Sequence, residues 1–225
     1  DPQRDTAAFL NENTHSTFFI LQTDNACVVV SELTWTEATT LTVIPDRPAF
    51  CMGVNASPSL SMQYGYEDAA SETFKAGHLI FLVPGRKITS HYGTGSLRTV
   101  ICSFETSYAE HILGPTHNLS HEQLRSALNV NNPLITAILF RLMKEAMFPG
   151  PISETVVESL GVSMLVECAH WLQAEQSSAE SRGKLTARHF AIVEKHLTES
   201  AGKTPCVADI AKECGFSERY FLKLF

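Results

Sequence analysis

The chain has 225 residues with a net charge of −7, and 44% of its residues are apolar and 18% charged, which is typical of a globular protein of one or two domains. No apolar run approaches the roughly 18 to 20 residues that span a bilayer, and the N-terminal stretch DPQRDTAAFL lacks the basic-then-apolar order of a secretory signal. The six cysteines are widely spaced and form no C-x-x-C pair, which indicates reduced, buried thiols. Together these features argue against a membrane-spanning helix and predict a cytoplasmic location.

The first half of the chain has the pattern of a β domain. From Ala26 to Phe104 the strongest segments are short and rich in β-branched or aromatic residues, among them ACVVVSEL, TLTVIP, HLIFLVP and LRTVICSF. Gly, Pro, Asn and Asp separate them. Many short strands with such punctuation predict an antiparallel sandwich or barrel.

After Phe104 the apolar residues recur at helical spacing, most regularly between residues 153 and 176. The residues of this last segment that carry the stripe are Val157, Leu160, Met164 and Trp171. Their spacing is that of a seam that pairs with another helix, which predicts a homodimer. The alternative, that the helix packs on its own β domain, is equally open. The polar stretch at 177–184 reads as a linker.

Charge is unevenly distributed along the chain. Residues 1–183 contain 10 Lys and Arg against 19 Asp and Glu, a net charge of −9, whereas residues 184–225 contain 7 against 5, a net charge of +2. An acidic body with a basic end is the arrangement of a regulator that carries a separate DNA-binding module.

The basic end contains the pattern of two helices joined by a tight turn. Ile210, Ala211 and Cys214 form the apolar stripe of the first helix, and Gly215 follows as a residue that can adopt positive φ. Ser217 would cap a second helix, which would enter the DNA major groove N-terminus first. The residues of this helix predicted to contact DNA are Ser217, Glu218, Arg219, Leu222 and Lys223. Spacing alone leaves an ordinary helical hairpin as open as a DNA-binding motif.

The stretch ADIAKECGFSERYFLKLF resembles the first helix-turn-helix of the AraC/XylS family of bacterial transcription regulators. The positions that match the family pattern are Ile210, Ala211, Gly215, Phe216, Ser217, Tyr220, Phe221, Leu224 and Phe225. The resemblance covers about the last fifth of the chain. It implies double-stranded promoter DNA as a partner, a second helix-turn-helix beyond Phe225 and, for many members, a cupin-like N-terminal barrel that binds an effector, followed by dimerising helices. Family members are often activators.

The fold class predicted from pattern and resemblance is α+β. We expect an antiparallel, cupin-like effector-binding barrel at 1–105, a helical dimerisation or packing region at 106–176, the linker at 177–184 and a partial, all-α helix-turn-helix domain at 185–225. The function expected is that of an effector-responsive DNA-binding transcription regulator, not an enzyme, without a cofactor.

The predicted barrel needs a ligand-binding lining. The side chains selected for it are Trp35, Phe50, Met52, Tyr64, Phe81, His91 and Tyr92, with Arg86 placed at the mouth to pair with a carboxylate or phosphate. A small organic metabolite is the expected effector, and a nucleotide second messenger is an open alternative. A cupin-type metal-dependent enzyme is the other alternative, but the chain has no His-x-His pair, so no metal site is predicted.

Overall fold

The computed structural model describes residues 14–66, 74–75, 77–182, 187–199 and 206–224. The chain divides into two compact units, Asp1–Gln173 and Ala174–Phe225. Within the described residues, no helix combines the length and the apolarity that a bilayer span requires.

Nine strands form the β part of the first unit. In chain order they are β1 (Thr14–Gln22), β2 (Ala26–Trp35), β3 (Thr39–Val43), β4 (Ala49–Val54), β5 (Met62–Tyr66), β6 (Phe74–Lys75), β7 (Leu79–Leu82), β8 (Ile88–Tyr92) and β9 (Gly95–Phe104). They make a five-stranded sheet in the order β1-β2-β9-β4-β7 and a four-stranded sheet in the order β3-β8-β5-β6. Every pairing is antiparallel.

The two sheets face each other across one hydrophobic core, to which both contribute buried side chains. Trp35 of β2 stacks on Tyr92 of β8 with ring centroids 4.4 Å apart, and the Tyr66 hydroxyl of β5 donates to the Phe81 carbonyl oxygen of β7 at 3.1 Å. No ladder joins the two sheets among the described strands. The β part is therefore an antiparallel sandwich, and the closed barrel predicted from the sequence is not observed.

Helices follow the strands, as the change of period predicts. They are α1 (Thr106–Leu113), a 3₁₀ turn (Thr116–Asn118), α2 (His121–Ala127), α3 (Pro133–Met147) and α4 (Ser153–Arg182). Their starts are set by local capping: Asn132 Oδ1 accepts from the backbone N of Leu134 and Ile135, with Pro133 at the first position. Helix α3 covers the outer face of the five-stranded sheet at β1, β2 and β9, so that sheet is buried on both faces there.

Helix α4 packs on the β unit of its own chain. Val157 and Met164 are fully buried in the core, and Leu160 and Trp171 pack against it half-buried. Gly161 lets the helix approach closely, since an added Cβ would lie 3.1 Å from the Phe104 ring. The face predicted as a dimer seam is thus occupied by the chain's own core, which is the alternative left open by the sequence.

A carboxylate ties α4 to the turn between β1 and β2. Glu158 accepts hydrogen bonds from the Asn25 backbone N and Nδ2, both at 3.2 Å. Partial burial pushes the pKa of Glu158 upward, but these bonds and one from the Thr23 side chain outweigh it and leave the pKa below its ordinary value. The charged carboxylate is therefore the form that the folded state favours.

Helix α4 also extends into the stretch predicted as a linker. It continues to Arg182, so residues 177–182, predicted as part of a linker, are helical. Residues 183 and 184, the rest of the predicted linker, lie outside the described residues. The polar composition of the stretch predicts a linker, but Ser, Ala, Glu and Gln carry only a modest helix penalty relative to Gly or Pro.

The second unit contains α5 (Ala187–Glu199), α6 (Val207–Glu213) and α7 (Glu218–Leu224). Its core consists of Val193, Ile210, Ala211, Cys214 and Phe221, with half-buried Val207, Ile192 and Phe216 packed against it. Cys206 precedes α6 and provides no side-chain cap. The stripe predicted for α6 is therefore the stripe that is buried.

Candidate functional site

The space between the two sheets contains the candidate ligand site of the first unit. Because successive side chains of a strand point to opposite faces, Ser31 and Leu33 of β2 and Ser90 and Tyr92 of β8 face the same interior. Two cavities of about 20 and 90 Å³ lie there. They adjoin, because both are lined by Cys51, Tyr64, Ile80 and Thr99.

Four of the polar groups inside these cavities are hydroxyls that bond to one another in two pairs. Ser31 Oγ and Thr99 Oγ1 are 2.9 Å apart, with the two residues 1% and 6% exposed. The Tyr64 and Tyr92 hydroxyls are 3.2 Å apart, and their rings meet edge to face. Each hydroxyl can both donate and accept, so these two pairs can exchange a mutual bond for one to a ligand oxygen.

The titratable groups in the interior stay uncharged at neutral pH. Burial raises the pKa of the Cys51 thiol to about 12 and that of Tyr92 to about 12. Burial also raises the pKa of Tyr64 well above its ordinary value, and the neighbouring Tyr92 adds to this. Burial in a low-dielectric interior disfavours the charged form of each group. The cavity walls therefore present neutral donors and acceptors.

The larger cavity reaches the protein surface at one end. Its lining there includes Asn55, Ala56 and His78, all three exposed. The Gly53 backbone N donates to the His78 carbonyl oxygen at 3.0 Å, which joins the two segments that form this rim.

The structure brings three of the predicted ligand-binding residues together and separates the others. Tyr64 and Tyr92 line the cavities, and Trp35, 2% exposed, stacks behind Tyr92. Trp35 Nε1 is a buried atom without a hydrogen-bond partner among the described residues. Phe50 and Phe81 are paired neighbours on the opposite, helix-covered face of the five-stranded sheet, and Met52 shares that face by register.

His91 and Arg86 are not part of the interior. His91 lies on the outer face of the four-stranded sheet, where its Nδ1 is 2.8 Å from Thr40 Oγ1. Arg86 lies in the turn that follows β7, where its backbone N donates to the Val83 carbonyl oxygen at 3.3 Å. Its charge acts on Tyr66, whose pKa is raised mainly by burial and is partly lowered by Arg86. Neither side chain lines the two cavities.

Sequence reasoning missed Ser31, Cys51, Ser90 and Thr99, which do line the site. The alternation of side chains along each strand could have identified them, because each lies two residues from a buried apolar side chain and therefore on the same face of its strand. A prediction based on aromatic side chains does not find them, since none of the four is aromatic.

The second unit presents α7 to solvent. Gly215 ends α6 with φ of 78°, and the Phe216 backbone N donates to the Ala211 carbonyl oxygen at 2.8 Å, which closes the turn. Ser217, Glu218, Arg219 and Leu222 are exposed, and Leu222 is 58% exposed. The side chain of Lys223 lies outside the described residues. The predicted contact residues that are described therefore lie on one accessible helix.

Contacts from α5 hold the turn and α6 in place. The His189 ring meets the Phe216 ring edge to face with centroids 4.8 Å apart. Glu213 of α6 accepts from Lys195 at 3.3 Å and lies 2.6 Å from His196 Nε2. The hydrogen bonds from His196 and Lys195 lower the pKa of Glu213. The C-terminal end of α6 and the turn after it are thus fixed by α5.

Among the described residues, no three His, Cys, Asp or Glu side chains are grouped so that they could hold a metal ion. The described residues therefore contain no candidate metal centre.

No family model matches the chain, and no curated protein sequence matches it. Among solved structures it is similar in part to the EutQ protein of Clostridium difficile, with 14% identity and a TM-score of 0.31 over 42% of this chain and 71% of that one. It is similar to the cupin domain of Cnp3 from Schizosaccharomyces pombe, with 10% identity and a TM-score of 0.32 over 44% and 67%. A cupin domain from Bordetella pertussis gives 7% identity and 0.31 over 43% and 100%. Likenesses at this level carry no argument, and the fold of this chain rests on its own strand order and contacts.

Proposed function

We propose that this protein is an effector-responsive transcription regulator, in which the first unit is a cupin-like sensor and α7 of the second unit binds promoter DNA. The observation that carries the proposal is the second unit's arrangement of two short helices around a Gly215 turn, with the exposed residues Ser217, Glu218 and Arg219 at the start of the second helix. The resemblance of this stretch to AraC/XylS regulators supports it. The proposal assigns the chain no catalytic reaction and no cofactor.

The chemistry of the exposed helix suits base recognition. An arginine guanidinium donates to N7 and O6 of guanine as a fork, and a glutamate accepts from N4 of cytosine. Arg219 and Glu218 are adjacent in the first turn of α7, the part of a recognition helix that enters the major groove. Each good base contact contributes about 1 to 3 kcal/mol of discrimination.

The sensor half of the proposal rests on the cavities between the sheets, which are accessible at one rim and lined by paired hydroxyls. A ligand there would shift the protein between two states only to the extent that it binds one state better than the other. A homodimer is part of the proposal, formed through a surface other than the buried α4 face.

The test is DNA binding by the full-length protein, measured by fluorescence anisotropy at physiological salt with promoter and random duplexes. We expect Arg219→Ala to weaken promoter binding by about tenfold or more while random-sequence binding changes little. Lys144→Ala removes one exposed charge from the first unit and should leave both affinities unchanged. Equal affinity of the unaltered protein for promoter and random DNA would refute the proposal.

A further inference from the structure

The walls of the two cavities carry no formal charge in the described part of the chain. None of the described lining residues is Asp, Glu, Lys or Arg. The ionisable groups that face the interior are Cys51, Tyr64 and Tyr92, and burial keeps all three protonated at neutral pH. His78 stands at the rim and is exposed, so it does not supply a buried counter-charge.

A buried ion without a partner is far less stable than the same ion in water. A carboxylate, phosphate or ammonium placed beside Tyr64 and Thr99 would lose its hydration and meet only hydroxyls and a neutral thiol. Arg86, the cation selected from the sequence to receive such an anion, does not line either cavity. A neutral molecule pays no such cost, and its oxygen can bond to the hydroxyl pairs.

Size restricts the ligand further. The larger cavity is about 90 Å³, smaller than the roughly 150 Å³ apolar cavity that accommodates benzene. The enclosed part of a ligand is therefore only a few non-hydrogen atoms, and any longer portion must lie toward the rim at Asn55 and His78. A nucleotide, with its base, ribose and charged phosphates, exceeds this space and carries the wrong charge.

We propose that the cavity between the sheets binds a small, uncharged molecule that carries a hydroxyl or carbonyl oxygen, and that it does not bind a nucleotide or another anion. The inference rests on the proposed sensor role of the first unit and names its ligand class. In the larger cavity Tyr64 and Thr99 supply the hydrogen bonds, and Met62, Ile80 and Leu97 supply the apolar contacts. Ser31 and Tyr92 continue the hydroxyl lining into the smaller cavity beside it.

The test uses three probes of one size and shape that differ in charge: 1-butanol, butyrate and butylammonium. Each is titrated into the Trp171→Phe protein, in which Trp35 is the remaining tryptophan and reports on the cavity through its stacking with Tyr92. We expect saturable binding of 1-butanol with a millimolar Kd and at least tenfold weaker binding of both ions. A matched pair of variants locates the site: Tyr64→Phe alters a lining hydroxyl and should change the 1-butanol Kd by threefold or more, whereas Thr40→Val on the outer sheet face should not.

Binding of butyrate or butylammonium as tight as that of 1-butanol would overturn the inference, as would the absence of saturable 1-butanol binding. Neither result changes the outcome of the DNA-binding test, because that test measures promoter affinity in the absence of a cavity ligand. Conversely, equal affinity of the unaltered protein for promoter and random DNA would refute the proposed function. The charge preference of the cavity would remain valid in that case. The two failures are therefore distinguishable.

Discussion

The hydroxyl pair between Ser31 and Thr99 makes a prediction about the environment of the cavity. The two oxygens are 2.9 Å apart and belong to the directly paired positions of β2 and β9. Thr99→Val and Ser31→Ala each remove one hydroxyl with little change of shape. Each single variant leaves the other hydroxyl buried, whereas the double variant leaves neither.

The magnitude follows from the cost of an unsatisfied buried polar group. Each single variant is expected to lower the free energy of unfolding of the first unit by about 1 to 3 kcal/mol, because the remaining hydroxyl loses its partner and both residues are buried. The double variant should cost less than either single variant, since two apolar groups of similar shape replace the bonded pair. The coupling energy between the two positions is therefore expected to exceed the cost of the larger single variant, which is about 1 to 3 kcal/mol.

Urea unfolding followed by tryptophan fluorescence measures these values for the first unit alone, because both tryptophans, Trp35 and Trp171, lie in residues 1–173. With a slope near 2 kcal/mol/M, a loss of 2 kcal/mol moves the midpoint by about 1 M. Single variants that cost less than about 0.5 kcal/mol, with additive behaviour in the double variant, would refute the reasoning. Water would then satisfy the remaining hydroxyl, and the cavity would not be the low-dielectric space that excludes ions.

Three further predictions concern other parts of the chain. Gly215→Ala should destabilise the second unit by about 1 to 2 kcal/mol in thermal unfolding followed by circular dichroism at 222 nm, because the residue has φ of 78°; no loss would mean that the turn relaxes. Gly161→Val should destabilise the first unit by about 1 to 3 kcal/mol in urea, since its Cβ meets the Phe104 ring, and an unchanged midpoint would contradict that packing. Glu158→Gln should destabilise the protein at pH 7, and the difference from the unaltered protein should shrink as the pH falls below about 4.3. The folded-state pKa of Glu158 is lowered, so its stabilising effect is present above the unfolded pKa and is lost as the pH falls through the folded one; a difference that is the same at pH 7 and pH 3 would contradict this.

Local patterns predicted the second unit well. Ile210, Ala211 and Cys214 are buried as expected, and Gly215 has the positive φ that its place after α6 predicts. Each of these features depends on residues within about ten positions along the chain. Helix spacing and turn chemistry act over that range, so one sequence is enough to read them.

The face of α4 could not be chosen from its own sequence. Its stripe of Val157, Met164 and Trp171 satisfies the spacing of a coiled-coil seam and equally that of a helix that covers a sheet. What decides between the two is the apolar outer face of a sheet elsewhere in the chain, including the Phe104 ring that receives Gly161. The periodicity therefore predicts the helix and its apolar face, and tertiary structure determines what that face packs against.

Which side chains face the interior of the sandwich is also not evident from the sequence, because a shift of strand register by one residue would turn the opposite set inward. In the strand Ile88–Tyr92, both alternating sets of side chains contain residues that could line a site. The composition of the strand therefore does not tell which of the two sets faces inward. Pairing with β3 places His91 beside Thr40 on the outer face and turns Ser90 and Tyr92 inward, and a shift by one residue would reverse both. The same parity in β4 places Cys51 in the cavity and removes Phe50 and Met52 from it. The uncharged character of the site is thus a consequence of register, since the opposite parity of β8 would place the His91 imidazole, in place of the Tyr92 phenol, among the lining side chains.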